Sequence, residues 1–224
     1  MSKPSNPNAK PLSKKQVLQA AIELADSDGI EALSMRKLGD KLHVKAMSLY
    51  NHVKDKGDVL DGMMDIVAGK INISADNSHW KSAMHERAVS AHEVLLLHPW
   101  AASLIMSRPT QGPEMLKHVD STLGCLRKAG FSIELSDHAW NTLDSYIYGY
   151  TLQELNYPFD MGKVKEVAQS YLPMLSSDEY PSLAELTKHM ATSNYKENFE
   201  GVHDFAFGLD LILEGLEKVL KKGK

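Results

Sequence analysis

Apolar residues recur at three- and four-residue steps along nearly the whole chain, and the runs are interrupted at Ser, Asp, Pro and Gly. After Ser13, with Gln16 three positions on, Val17, Ala20, Ala21, Leu24 and Ala25 trace one helical face as far as Gly29. The Ser–Gln pair has the spacing of a capping box, and the glycine is a stop. Ser34 opens a second short helix, "MRKLGDKL", with Leu38 and Leu42 inward. A turn at residues 43–45 leads to a third, over 46–52, in which Leu49 and Val53 face inward. Asp55, with Asp58 three later, caps a fourth helix running to about residue 73 on Val59, Leu60, Met63, Ile66, Val67 and Ile71. The spacing predicts further helices over 80–97, 101–107, 113–129, 136–156, 162–172, 181–191 and 199–220. In the last, Val202, Phe205, Leu209, Ile212, Leu216 and Val219 form a stripe that Ala206, Leu213 and Leu220 widen. No alternating strand pattern and no fixed-period repeat is present, so the expected fold is all-α.

A short helix, a tight turn and a second short helix held by Leu38, Leu42, Val44, Leu49 and Val53 is the organisation of a helix-turn-helix, here about residues 34–53. With Leu49 and Val53 turned inward, the second helix presents Lys45, Met47, Ser48, Tyr50, Asn51 and His52 outward. That mixture of hydroxyl, amide, imidazole and ammonium groups suits base edges and flanking phosphates in a major groove. Lys54 and Lys56, at the next helix start, are placed for phosphates. The plainer alternative is that Tyr50 and His52 merely cover a small core.

Charge strengthens the first reading. The formal net charge is −4, yet residues 1–56 hold ten Lys/Arg against six Asp/Glu, +4, and the remainder hold fifteen against twenty-three, −8. A basic head on an acidic body confines contact with a polyanion to the head. The length of 224 residues allows a small domain plus a larger one. Cys125 is the only cysteine, so no intramolecular disulfide can form, and a reducing, cytoplasmic setting is expected. The longest apolar runs, such as "VLLL" at 94–97, fall far short of the ~18 residues of a membrane span. Residues 1–12 read as a polar, Pro-containing, disordered basic arm rather than a secretion signal.

"LSMRKLGDKLHVKAMSLYNHVKDKGDVLDGM", residues 33–63, resembles the DNA-binding head of the TetR family of bacterial transcription regulators. The resemblance rests on Arg36, Lys37, Leu38, Val44, Leu49, Tyr50, His52, Val53, Lys54 and Lys56. It implies that Tyr50 and Lys56 hold backbone phosphates, that His52 contacts DNA, and that Lys45, Ala46 and Met47 stand where bases are read. Those three differ from the tetracycline repressor's residues, so a different operator is implied. "SRPT" at 107–110 and "FAFGLDLILEGLEKVL" at 205–220 are similar to the C-terminal domain of the tetracycline-repressor branch. The domain order is then a helix-turn-helix head over 13–75 and an effector-binding and dimerisation domain over 76–224. The resemblance implies a homodimer joined through a four-helix bundle that includes the last helix. Gly208, Leu209, Ile212, Leu213, Gly215 and Leu216 are the candidate dimer residues, and a near-palindromic DNA operator would follow.

The same resemblance implies release by a small molecule, but not by a magnesium–tetracycline chelate. Asn72 stands where a drug-contacting His is expected, Arg87 where an Asn is expected, and Leu104 where the metal-ligating His is expected. Candidate effector contacts are Trp100, Met106, Trp140, Leu143, Tyr146, Ile147 and Tyr150, with His138 and Gln153 as polar anchors. They would suit a small apolar or amphipathic effector; as aromatics at helical spacing they could equally be core. The rivals are a DNA-binding regulator without a small-molecule effector and, more remotely, a helical enzyme. Against the enzyme, the ten histidines form no HExxH or HxxxH, and neither paired cysteines nor a phosphate-binding glycine loop is present. No cofactor or metal is expected.

Overall fold

Side-chain caps fix where the helices of the head begin, and each such cap stabilises its helix by roughly 1 kcal/mol. Ser13 accepts from the Gln16 amide while the Gln16 side chain accepts from Ser13, starting α1 (Lys14–Asp28). Ser34 accepts from the Lys37 amide and starts α2 (Met35–Lys41). Asp55 accepts from the Asp58 amide and starts α4 (Lys56–Ala68). Between them α3 (Ala46–Leu49) has no side-chain cap. The computed structural model describes residues 12–73, 79–108, 112–175, 178–193 and 199–222. The arm expected over 1–12 thus lies, apart from Leu12, outside the described residues, as do the last two residues of "SRPT".

The rest of the chain continues as α5 (Trp80–Leu97), α6 (Pro99–Ser107), α7 (Pro113–Lys128), α8 (Ile133–Leu155), α9 (Val164–Tyr171), α10 (Pro181–Thr192), α11 (Phe199–Val202) and α12 (Phe205–Lys222). Proline occupies the first turn of α6, α7 and α10, where its missing N–H is not needed. The fold is all-α: among the described residues there is no strand, and no helix is long and apolar enough to cross a membrane.

The chain divides into two compact units, residues 1–140 and 141–224, with the border inside α8. In the first unit α1 packs on α2 and α4, α2 packs on α3, and α5 packs on α6 and α7. Helix α4 touches α1 on one side and α6 and α7 on the other, so it belongs to both the head and the helices beyond it. Ile22, Leu38, Leu49, Met63, Met64, Met84, Leu95 and Leu126 form its fully buried centre. The second unit contains the α9–α10 hairpin and α12, whose Phe205, Leu209, Leu213 and Leu220 are buried.

Several helix borders differ from expectation for visible reasons. The third helix ends at Leu49; Tyr50 to His52 form a turn in which the Asn51 and His52 amides donate to Ser48 and Leu49. The fourth ends at Ala68, five residues early, because Gly69 and Lys70 close the last turn onto Asp65 and Val67. Helix α8 starts three residues early, since Ser132 accepts from the Leu135 amide. The single helix expected over 199–220 is two. It breaks at His203–Asp204, where the Asp204 carboxylate caps α12 by accepting from the Ala206 and Phe207 amides. Tyr150 and Tyr146 hold the break by donating to the carbonyls of His203 and Phe205.

Candidate nucleic-acid interface

Helices α2 and α3 approach backbone to backbone. A Cβ on Gly39 would lie 2.9 Å from the Val44 carbonyl oxygen and 3.1 Å from the Ala46 nitrogen, so only glycine fits. His43, in the intervening turn, takes the left-handed conformation, φ 56°. This geometry was not foreseen from the sequence, although a glycine five residues before Val44 was the available signal. Leu38, Leu49 and Val53 are buried beneath the turn, while Leu42 and Val44 are half-buried. Burial of each leucine is worth roughly 2 kcal/mol, enough to fix the roll of so short a helix.

With that roll fixed, Lys45, Met47, Tyr50 and Asn51 are exposed, and Ala46, Ser48 and His52 are half-exposed along one rim. Met47 is 74% accessible and Tyr50 45%. Arg36 on α2 and Lys54 and Lys56 at the start of α4 are also exposed. Asp58 organises this end of the site. Its carboxylate accepts from Lys14 Nζ at 2.8 Å and from the Lys54 amide at 2.9 Å, tying α1 to the segment that carries Lys54 and Lys56. The hydrogen bond from Lys14, followed by that from the Lys54 amide, holds the Asp58 carboxyl below its ordinary value.

The residues considered for an effector have varied surroundings. In the first unit Trp100 is buried and its indole N–H donates to Asp26 at 2.6 Å. Met106 is exposed, His138 is exposed with Glu134 4.0 Å away, and Trp140 is half-buried. In the second unit Leu143 and Ile147 are fully buried and Gln153 is exposed. Tyr146 and Tyr150 converge on Phe205, with ring centroids 5.3 and 5.0 Å from it, and both hydroxyls donate to main-chain carbonyls. Burial, then the charge of Asp204, pushes the Tyr146 phenol upward.

Of the candidate dimer residues, Leu209 and Leu213 are buried within the chain, Ile212 and Leu216 are half-buried, and Gly208 lies against Tyr146. The exposed apolar residues of α12 are instead Phe207, 66% accessible, Leu211, 57%, and Val219.

Sequence reasoning also missed the polar joints of the first unit. Asp26 on α1 accepts from both His98 Nδ1 (2.8 Å) and Trp100 Nε1, and Lys70 Nζ lies 2.9 Å from His98 Nε2. Asp61 on α4 pairs with Arg108 at 2.8 Å, and Asp65 accepts from the Glu114 and Met115 amides at the start of α7. Arg87, 1% accessible, donates from Nε to His118 Nε2 at 3.0 Å. Burial, reinforced by the Arg87 charge, lowers His118 to about 4. An arginine interrupting the apolar stripe of Met84, Ala88, Ala91 and Leu95 was the signal available for that pair.

An all-α chain with a helix-turn-helix head and an exposed polar rim on and just after its second helix is a DNA-binding transcriptional regulator. Residues 74–220 match the tetracyclin repressor-like C-terminal domain family. An HTH-type transcriptional regulator of Saccharopolyspora erythraea is 35% identical over 175 residues, covering 77% of this chain and 74% of the relative. The HTH-type transcriptional repressor DrrR1 of Streptomyces coeruleorubidus is 30% identical over 96% of this chain and 81% of its own length. Among solved structures, the Streptomyces coelicolor TetR family protein ActR in complex with actinorhodin has a TM-score of 0.79 at 25% identity, covering 94% of this chain and 99% of ActR. The chain belongs to the TetR family of transcriptional regulators.

Proposed function

We propose that the protein is a homodimeric repressor that occupies a near-palindromic operator and leaves it when a small apolar or amphipathic molecule binds. The observation that carries this reading is the rim of Lys45, Met47, Tyr50 and Asn51, turned to solvent by the burial of Leu49 and Val53. Lys45, Ala46 and Met47 read bases, with Ser48, Asn51 and His52 beside them. Tyr50, Lys54, Lys56 and Arg36 hold phosphates, which set register but carry no sequence information.

Phe207 and Leu211, one helical turn apart and exposed on α12, support pairing with a second copy beside the open Gly215. A two-fold dimer sets its recognition helices ~34 Å apart, one turn of DNA. The repressor name of DrrR1 and the actinorhodin complex of ActR support repression and small-molecule release. The side chains at Asn72, Arg87 and Leu104 favour an effector other than magnesium–tetracycline.

The test combines selection from random duplex DNA, sedimentation, and operator release by a panel of small molecules. A two-fold consensus, a dimer that Leu211→Glu dissociates, and release by a panel member are expected. A wild-type monomer, or a selected sequence lacking two-fold symmetry, would overturn the proposal; a dimer on a palindrome that nothing releases would mark a regulator without an effector.

A further inference from the structure

His98 forms the corner between α5 and α6, is 6% accessible, and has both ring nitrogens engaged by charged groups from elsewhere in the fold. Asp26 on α1 lies 2.8 Å from Nδ1, and Lys70 Nζ, two residues past the end of α4, lies 2.9 Å from Nε2. A lysine ammonium can only donate, so Nε2 accepts, and the ring proton on Nδ1 goes to Asp26. The neutral ring with its proton on Nδ1 is the one state that makes both bonds.

The charges around the ring are few. From α6 it faces the uncharged Trp100, which shares the Asp26 carboxylate. The other α1 acids nearby in sequence, Glu23 and Asp28, are engaged by Lys41 and Lys37. On α4, Asp61 is held by Arg108, and Asp65 by the amides that start α7. Glu93, on the same helix as the corner, is exposed.

A second proton on the ring goes to Nε2, where the lone pair is. Donor then faces donor, and two positive charges stand at hydrogen-bond distance, which is repulsive. The two bonds respond in opposite directions. Asp26 gains a charge-assisted partner and supplies the counter-charge that a protonated ring needs when buried. Lys70 is exposed and turns to water.

We infer that His98 is a pH-operated latch: neutral, it ties both α1 and the Lys70 segment to the α5–α6 corner; protonated, it keeps α1 and releases Lys70. Histidine is the side chain that ordinarily changes charge between pH 5 and 8, so the latch responds where carboxylates and lysines do not. Once released, the segment is held by its own turn, in which the Lys70 and Ile71 amides donate to Val67 and Ala68. The latch operates whether or not an effector exists, and it makes the anchorage of the head a function of pH.

The test uses the full chain: ring ¹⁵N spectra at pH 8, then exchange protection of the Lys70 and Ile71 amides from pH 8 to pH 5, corrected for the intrinsic rate. An Nδ1-protonated His98 is expected at the upper end, with protection falling at least about three-fold on acidification. His118, lowered to about 4, stays largely neutral over this range. Lys70→Met has no bond to lose and should hold the low protection at every pH. His98→Asn should match it, because its amide still donates to Asp26 but neither titrates nor reaches Lys70. An Nε2-protonated ring at pH 8, level protection in the wild type, or wild-type protection in Lys70→Met at pH 8 would overturn the latch.

Discussion

The Tyr146 ring fills the space beside Gly208: a Cβ on that glycine would lie 2.4 Å from the phenolic oxygen and 2.7 Å from two ring carbons. The same hydroxyl donates to the Phe205 carbonyl at 2.8 Å, so ring and glycine together seat the first turn of α12. Gly208→Ala should destabilise the protein by about 1 to 3 kcal/mol through overpacking. Tyr146→Leu should cost a comparable amount by itself, and the double variant should lose less than the two combined because the clash is removed. Urea denaturation of the four proteins measures the coupling. Strict additivity would show that the ring and the glycine do not meet.

The rim of the recognition helix separates two kinds of DNA contact. Lys56→Ala should weaken binding to specific and random duplexes alike and lower the slope of log affinity against log salt by about 0.9, because one phosphate fewer is neutralised. Tyr50→Phe should weaken both duplexes similarly. Met47→Ala, by contrast, should leave the salt slope alone and change base preference, costing about 1 to 3 kcal/mol on the best site. Fluorescence anisotropy over a salt series reads all three. A changed consensus for Lys56→Ala with an unaltered slope would reverse the assignment.

Much of this architecture is legible in the sequence because it is local. Ser13 with Gln16, Ser34, and Asp55 with Asp58 announce helix starts through bonds to amides three residues away, and each forms as its spacing suggests. The burial of Leu49 and Val53 follows from their four-residue separation. What was not legible depends on partners distant along the chain. The break at His203–Asp204 is held by Tyr146 and Tyr150, more than fifty positions away, while the apolar stripe runs through it unbroken. Likewise Leu209 and Leu213, which read as a dimer seam, are buried inside the chain, and periodicity alone cannot say which neighbour covers a stripe. The Arg87–His118 bond joins α5 to α7, and no local pattern encodes which helices meet.

Asp26 is the acceptor shared by His98 and the buried Trp100 indole, and it joins α1 to the α5–α6 corner. Asp26→Ala leaves two donors without this partner, and each missing bond costs about 1 to 3 kcal/mol when the stranded group is shielded from water. The melting temperature should fall by several degrees, at roughly 2 to 4 °C per kcal/mol for a chain of this size. Asp26→Asn keeps one acceptor oxygen and should fall less. Calorimetry compares them, and an unchanged melting temperature for Asp26→Ala would mean that the joint carries no net stability.

The Arg87–His118 pair gives acid stability a specific slope. Burial, then the Arg87 charge, lowers the His118 value from 6.5 to about 4, so the folded protein keeps this ring neutral where the unfolded chain protonates it. Between those two values the unfolded state binds more protons, and stability therefore rises with pH and is lost as pH falls toward about 4. At 1.36 kcal/mol per unit, the loss over the whole window is about 3 kcal/mol. Asp58 acts in the same direction but at lower pH, because the unfolded chain protonates this carboxyl near the ordinary value of 3.8 while the folded protein keeps it ionised to lower pH. His118→Gln removes the titrating ring while its amide oxygen can still accept from Arg87, so the variant should show a flatter stability profile above pH 4 and the same decline below it. Chemical denaturation at a series of pH values gives both profiles, and parallel slopes for the two proteins across the upper window would show that His118 is not held neutral.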